Sequence, residues 1–598
     1  MNKFLLSFVC AGIGSSAVSA VPFQGIIGEN VELFVSVRSF SETREQWAMH
    51  PIVELFEDES LIDFFGSIED DEALDDPDSD APSGFTAVME EVFGLSYDEL
   101  FELFPGQASL AFYNLSEQML EQAERQEMVL MVEFSGDAER LDELMQIQFE
   151  RNAAAQQAIN PLIEHEMVEE SFMGETLYFD ETFNGEETYV EDGYALVDGI
   201  VILATPESRL REAVESIKEG ASAPIADSDV YRRSREDAGR GDLVVYLNLE
   251  KLMPPLNDAL MKLPMLDNLA MFGVTEQSLE SALSLESLQA MYADFDLIDE
   301  GLLSNYGLIY REKLGFLSLL SYAQTKLPEA RYVPEGVLNS SISLFDLSAM
   351  LANLEQVLTS ASPTLPPLID MQMQLSQSKT GVDLRASILE NFGAQVVSLS
   401  ILNEGGLEDL EALETQQLFV IDVKDTQALA QALEAFKDLI PGTRALFEEQ
   451  SYEGQTIYTI KGPSDPSLPD AEGANVSYVM TRSELIVNVG GVGLLHEVLA
   501  RMSDGSDGLW QHSDMERMFE RIERPNAVAR SFVDAEQMIE PLFQSLLQAG
   551  VASGFAGHMS AEKIPSGLDA AYRLISEINE APDGLFGRTL IIKSEDTQ

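Results

Sequence analysis

The sequence predicts an α+β fold made of two tandem homologous modules, each a large, mostly antiparallel sheet with helices packed on one face. Three observations carry that prediction. Ser171-Phe172-Met173-Gly174-Glu175-Thr176-Leu177-Tyr178 returns 280 residues later as Ser451-Tyr452-Glu453-Gly454-Gln455-Thr456-Ile457-Tyr458, with four of the eight residues identical. Strand-like runs follow one another through connections too short for crossovers, which leaves an antiparallel meander. At 598 residues, with apolar residues at 45%, the chain exceeds one ordinary domain and has material for more than one core.

The N-terminus reads as an export signal over residues 1–20. Lys3 supplies the positive start, Phe4 to Ile13 the short apolar stretch, and Val18-Ser19-Ala20 the small-residue cleavage site before Val21. Gly12, Gly14, Ser15 and Ser16 interrupt it too early for a membrane span of about 20 residues. No later segment is apolar for long enough to cross a bilayer, so no transmembrane helix is expected in the mature chain. Cys10 is the one cysteine, and it falls within the signal. Thiol catalysis and cysteine-ligated metal sites are thereby excluded. A large exported chain without disulfides suits the periplasm or the extracellular space of a bacterium.

Module A is expected over residues 21–330. Val31 to Phe40 is its first strand and Ser41 to Phe56 has helical spacing. Ser96 to Phe104 is helical, and Pro105-Gly106 turns into a strand from Ala108 to Asn114. Met128 to Phe134 is a strand and Asp137 to Ala158 a long helix. The repeated motif forms a hairpin bending at Gly174, and Thr188 to Val197 turns at Asp198-Gly199 into Ile200 to Ala204. A helix over Glu207 to Lys218 and a strand from Leu243 to Leu249 follow. Next come a Met- and Leu-rich helical region from Leu252 to Phe272 and strands at Leu288 to Leu297 and Leu302 to Tyr310. Gly315 to Lys326 is expected as a connecting helix.

Module B, residues 331–598, repeats the order. Val333-Pro334 matches Val21-Pro22, and Ser341 to Leu347 matches the first strand. Gln417 to Leu433 follows Met128 to Leu144 at a constant offset of 289, Tyr478 answers Tyr194, and Leu568 to Tyr572 answers Leu288 to Tyr292. Collinear matches of this kind indicate a duplication.

A net charge of −69 argues against nucleic acid, whose phosphates require a basic surface, and disfavours anionic membranes. The acidic residues are spread along the chain, which fits adaptation to salty surroundings better than a dedicated binder of cations. Glu69 to Asp80 holds eight carboxylates in twelve residues. An EF-hand loop begun at Asp76 would place Ala81 at the glycine position and Ala87 at the terminal glutamate, so a solvated loop is the better account.

Candidate chemistry is sparse. Gly490-Gly491-Val492-Gly493 opens a helix after a strand, but His496 stands where a dinucleotide turn needs glycine. Lys379-Thr380-Gly381 and Ser560 to Lys563 spell fragments of penicillin-recognising enzymes in the wrong order, and Ser376 to Lys379 overlaps the first of these, which leaves no room for the fold between them. Arg240-Gly241-Asp242 reads as turn chemistry. His50, His165, His496, His512 and His558 lack metal-ligand spacing and read as ordinary surface histidines. No catalytic, cofactor-binding or metal residue is assigned, and no cofactor is expected. Met253, Met261, Met265 and Met271, among leucines, read as core packing, or as an adaptable surface for acyl chains.

Val21-Pro22, Phe104-Pro105-Gly106-Gln107 and the strand–Gly174–strand element resemble those of a family of large exported bacterial proteins of unknown function with an internal duplication. That resemblance implies no activity, cofactor or site residue. The expected function is that of a non-catalytic envelope or secreted protein. It would bind a ligand or protein partner, a lipid being one version, through an apolar groove or the interface between modules. A carboxylate-dependent extracytoplasmic hydrolase and a structural surface protein are the alternatives.

Overall fold

The computed structural model describes residues 22–40, 42–43, 46, 50, 102–120, 126–136, 138–160, 162–183, 185, 187–236, 238–239, 241–262, 270–402, 415–439, 443–460, 475–535, 537 and 572–593. The export signal, the acidic loop Glu69 to Asp80, most of the helix expected over Ser41 to Phe56, the start of that at Ser96, and Ser560 to Lys563 lie outside them. Of the described residues, one unit takes those up to Leu260 together with Leu288–Arg311; the other takes Met261–Ser287 and those from Glu312 onward.

In the first unit the strands are β1 (Leu33–Val37), β2 (Ala108–Phe112), β3 (Met128–Glu133), β4 (Glu164–Phe172), β5 (Glu175–Phe183), β6 (Thr188–Val197), β7 (Ile200–Thr205), β8 (Leu243–Asn248), β9 (Leu288–Ile298) and β10 (Gly301–Tyr310). Every pairing is antiparallel, in the order β4-β5-β6-β7-β3-β2-β1-β8-β9-β10. Beside a short helical turn at Leu115–Met119, the described helices are α1 (Ala138–Ile159), α2 (Glu207–Glu219), α3 (Asp229–Glu236) and α4 (Leu249–Leu260).

In the second unit the strands are β11 (Asn339–Ser343), β12 (Phe392–Leu402), β13 (Thr415–Val423), β14 (Phe447–Tyr452), β15 (Gln455–Ile460), β16 (Val476–Met480), β17 (Glu484–Val489), β18 (Ala527–Asp534), β19 (Tyr572–Ala581) and β20 (Gly584–Lys593). Their order is β14-β15-β16-β17-β13-β12-β11-β18-β19-β20, again wholly antiparallel. Strand for strand, this is the order of the first unit. The helices here are α5 (Glu276–Leu283), α6 (Leu347–Ala361), α7 (Leu365–Thr380), α8 (Thr426–Leu439), α9 (Gly493–Asp504) and α10 (Ser513–Ile522).

The repeated motif forms the hairpins β4–β5 and β14–β15. Met173 and Gly174 have φ of 53° and 88°, and Glu453 and Gly454 have 46° and 74°, so both bends are two-residue turns with positive φ at both positions. Such turns match the twist of the flanking strands and need a residue that tolerates the left-handed region. They point Leu177 and Ile457 into the core, both fully buried. Across the next pairing Tyr178 lies opposite Tyr194 and Tyr458 opposite Tyr478. Each pair is stacked, at 4.7 Å and 5.0 Å between ring centroids.

β3 is buried at every residue, which requires cover on both faces. One face carries Leu130 and Val132 against Leu141, Leu144 and Met145 of α1. Val129 and Met131 point the other way, opposite Ala204 and Ile202 of β7, where α2 buries Leu210, Ala213 and Val214. The sequence led us to expect helices on a single face; near the central strands there are helices on two.

Three expectations change. Gly315 to Lys326 is only a 3-10 turn over Gly315–Leu319. Ser318 and Ser321 donate their hydroxyls to carbonyls three residues back, which competes with helix continuation. The strand expected at Ser341 to Leu347 ends at Ser343, because Asp346 accepts from the Ala349 N–H and caps α6. In the match of Leu288–Tyr292 with Leu568–Tyr572, residues 568–571 lie outside the described set and Tyr572 does not answer Tyr292, since the turns of the last hairpins align Ile298 with Ala581, an offset of 283. In that alignment Asp294 meets Glu577, and both side chains are fully buried. Arg235 binds Asp294 at 2.6 Å and Arg530 binds Glu577 at 2.7 Å.

Carboxylates also close the ends of the central strands. Glu133 on β3 lies against Gly106 and accepts from the Gln107 N–H at 2.9 Å, and Asp422 on β13 lies against Gly393. A Cβ at either glycine would collide with the carboxylate, whereas one at Gly174 would meet open space. Gly174→Ala should therefore cost about 1 kcal/mol, from backbone conformation alone. Gly106→Ala should cost more, and urea unfolding midpoints compare the two. Equal costs would refute the close approach.

Burial raises the Glu133 carboxyl above the ordinary 4.5. A group raised in the folded state favours folding below its unfolded pKa, and that contribution fades as pH climbs through the folded value. Glu133→Gln should therefore be most stabilising, relative to the parent, at pH 8, with the gap closing towards pH 4. Unfolding midpoints across that range check the sign.

Candidate ligand site

The second unit contains two consecutive helices that the sequence reading passed over. α6 begins at the Asp346 cap, and α7 carries Pro366 and Pro367 in its first turn, where missing N–H groups cost nothing. α7 ends at Gly381, with φ of 75°. The Lys379-Thr380-Gly381 spelling is thus a helix stop.

α7 is unusual for its surroundings. In a chain with 104 acidic residues, its only charged side chains are Asp370 and Lys379. No residue of α7 is buried, and Leu368, Ile369, Met371 and Leu375 are 39–49% exposed. One stripe of the helix, Leu365, Leu368, Ile369, Gln372, Met373 and Ser376, lines a cavity of about 440 Å³. Leu384, which precedes the π-helical turn Arg385–Leu389, forms the facing wall with Ile388 and Leu389 of that turn. The cavity is apolar except for the Gln372 amide and the Ser376 hydroxyl. Its size falls within the range of about 300–1,000 Å³ usual for small-molecule pockets.

Arg385 fastens this wall. Its guanidinium grips both oxygens of Glu355 on α6 at 2.7 and 3.0 Å, and reaches Asp370 on α7 at 2.8 Å. The Arg385 hydrogen bond holds the Glu355 carboxyl below its ordinary value. A depressed carboxylate stabilises above its unfolded pKa and loses that contribution as pH falls through the folded one, so acid loosens the latch. All three side chains are partly exposed, which limits the worth of the network to about 1 kcal/mol.

The other sequence features are structural. At Gly490-Gly491-Val492-Gly493 the Gln416 side chain accepts from the Leu494 N–H at 3.0 Å, so a helix N-terminal donor is already engaged. Gly241 has φ of 75° and donates to Asp296 at 2.7 Å, while the buried Asp242 accepts from the Leu297 N–H and from Arg38. That engages Gly241 and Asp242 within the fold, while Arg240 lies outside the described residues.

Two histidines expected at the surface are buried. His50 Nε2 donates to the carbonyls of Ile298 and Gly301 at the β9–β10 turn. The His165 side chain, 2% exposed, meets Asp180 at 3.0 Å and Thr182 at 3.1 Å. Strand alternation places His165 on the inner face of β4, which the sequence reading did not use. His512 is half-exposed beside Asp514, and His558 lies outside the described residues. No group of three His, Cys, Asp or Glu among the described residues is placed to hold a metal ion. No described helix is long and apolar enough to cross a membrane. The described residues of the Met-rich stretch do not line the cavity, and residues 263–269 lie outside the described set.

No family model matches the chain, and no curated protein matches it. Among solved structures, crystal form III of TP0453 is similar at 10% identity over 50% of this chain and 81% of that one, with a TM-score of 0.22. Form IV is similar at 9% identity over 49% and 81%, also at 0.22. Likeness at that level supports no argument about function.

Arg385→Ala should free α7 from the wall it faces. Amide exchange should speed up across Leu365–Thr380, while the unfolding midpoint should fall by no more than about 1 kcal/mol equivalent. Unchanged exchange in α7 would show that the latch does not hold it.

Proposed function

We propose that the chain is an exported, highly acidic, non-catalytic envelope or secreted protein, built from two copies of one module, that binds an apolar ligand beneath α7. One observation carries this reading: an open apolar groove of about 440 Å³, walled on one side by a helix that leaves Leu368 and Ile369 partly exposed. Exposed apolar side chains of this kind cost solubility and favour covering by a partner or ligand. The shared strand order of the units and the spacing of the repeated motif support the duplication; the signal-like residues 1–20 support export.

The wide spread of carboxylates keeps the rest of the surface hydrated. The charge-poor helix is then the place where an apolar molecule can approach without stripping water from charge. A molecule with an acyl chain, such as a lipid, fits the lining best.

N-phenyl-1-naphthylamine, an uncharged probe that fluoresces in apolar surroundings, should bind the full chain saturably. Leu368→Asp, on the lining but partly exposed, should weaken binding at least tenfold without moving the unfolding midpoint. Met371→Asp, on the same helix but off the lining, should leave binding unchanged. Absent binding, or equal effects of the two variants, refutes the site.

A further inference from the structure

We propose that the molecule held beneath α7 is a single-chain lipid with an uncharged polar head, an alcohol, ester or amide. The proposal rests on the pocket reading above and adds the chemistry of the head. Two polar side chains face the cavity, the Gln372 amide and the Ser376 hydroxyl. They stand four residues apart on α7, hence on one face and about 6 Å apart. Both can donate and accept, and neither side chain has a partner among the described residues. A hydroxyl or ester oxygen set against them takes the place of water as their hydrogen-bond partner, while the chain lies along Leu365, Ile369 and Ile388.

A charged head fares worse. The guanidinium nearest the cavity, Arg385, already has two carboxylate partners, so the triad with Glu355 and Asp370 carries a net negative charge. Asp383 adds another, turned to the N–H groups of Arg385 and Ala386. A fatty-acid carboxylate would meet this cluster within a chain of net charge −69. Lys379, one turn beyond Ser376, is exposed and does not line the cavity. An ammonium head would find carboxylates that Arg385 has already neutralised in part, and would give up hydration to reach them.

The test displaces N-phenyl-1-naphthylamine from the full chain with 1-monolauroylglycerol, dodecanoate and dodecylamine, all below their aggregation concentrations. Monolauroylglycerol should compete at least tenfold more strongly than either ion at low salt. The dodecanoate deficit should shrink in 1 M salt, where the screening length falls to about 3 Å. The double variant Gln372→Leu, Ser376→Ala should keep the probe and lose the preference for monolauroylglycerol.

Dodecanoate binding as tightly as the glyceride, and weakening on Lys379→Ser, would overturn the inference in favour of an anionic head. A preference that survives the double variant also overturns it, because the head would then lie elsewhere. Failure of the probe itself to bind sinks the pocket reading, and this inference with it. Probe binding without discrimination among the three lipids sinks this inference alone.

Discussion

The register of the antiparallel ladders is the constraint on which both units depend. A strand presents alternate residues to opposite faces, so a slip by one position would turn each buried side chain outward. In each unit that register is pinned at the hairpin β4–β5 or β14–β15 by a two-residue turn ending in glycine with positive φ. Leu177 and Ile457 reach the core because Gly174 and Gly454 fix where the strands reverse. The stacked tyrosines follow from the same register, since opposite positions bring rings together on one face.

On that shared frame the polar interior is written differently in each unit. Above the first tyrosine pair, Asp142 of α1 accepts from both hydroxyls, at 3.3 Å from Tyr178 and 3.0 Å from Tyr194. Above the second, the ammonium of Lys437 on α8 lies 3.8 Å from the Tyr458 ring centroid and pairs with Glu434. One solution uses the hydroxyl dipoles and the other the ring faces. Asp294 and Glu577 show the same freedom, drawing arginines from a helix in one unit and from a neighbouring strand in the other. A buried carboxylate demands a cation or several N–H groups, but it does not dictate which element supplies them.

The pocket stands apart from this frame. α7 packs without burying any residue and is tied down by one guanidinium shared between two helices. A surface dominated by carboxylates makes a charge-poor helix chemically distinct, since it is where water is least tightly held. Its stripe at three- and four-residue spacing, apolar at Leu365, Leu368, Ile369 and Met373 and polar at Gln372, was present in the sequence. The spacing alone could not separate a core-facing stripe from one that lines a cavity, because both require the same residues. The Met-rich stretch around Met253 carries the same ambiguity.

The sequence by itself determined the α+β class, most of the strands and the hairpins at Gly174, Asp198-Gly199 and Gly454. These are written in local alternation and turn chemistry, which act over a few residues. It could not determine which strands flank β3 and β13, that helices cover both faces of β3, or how the last hairpins of the two units align. Nor could it show that His50 and His165 are buried or that Arg385 joins α6 to α7. Those facts arise from contacts between residues far apart in the chain, and only the folded arrangement brings their side chains within reach.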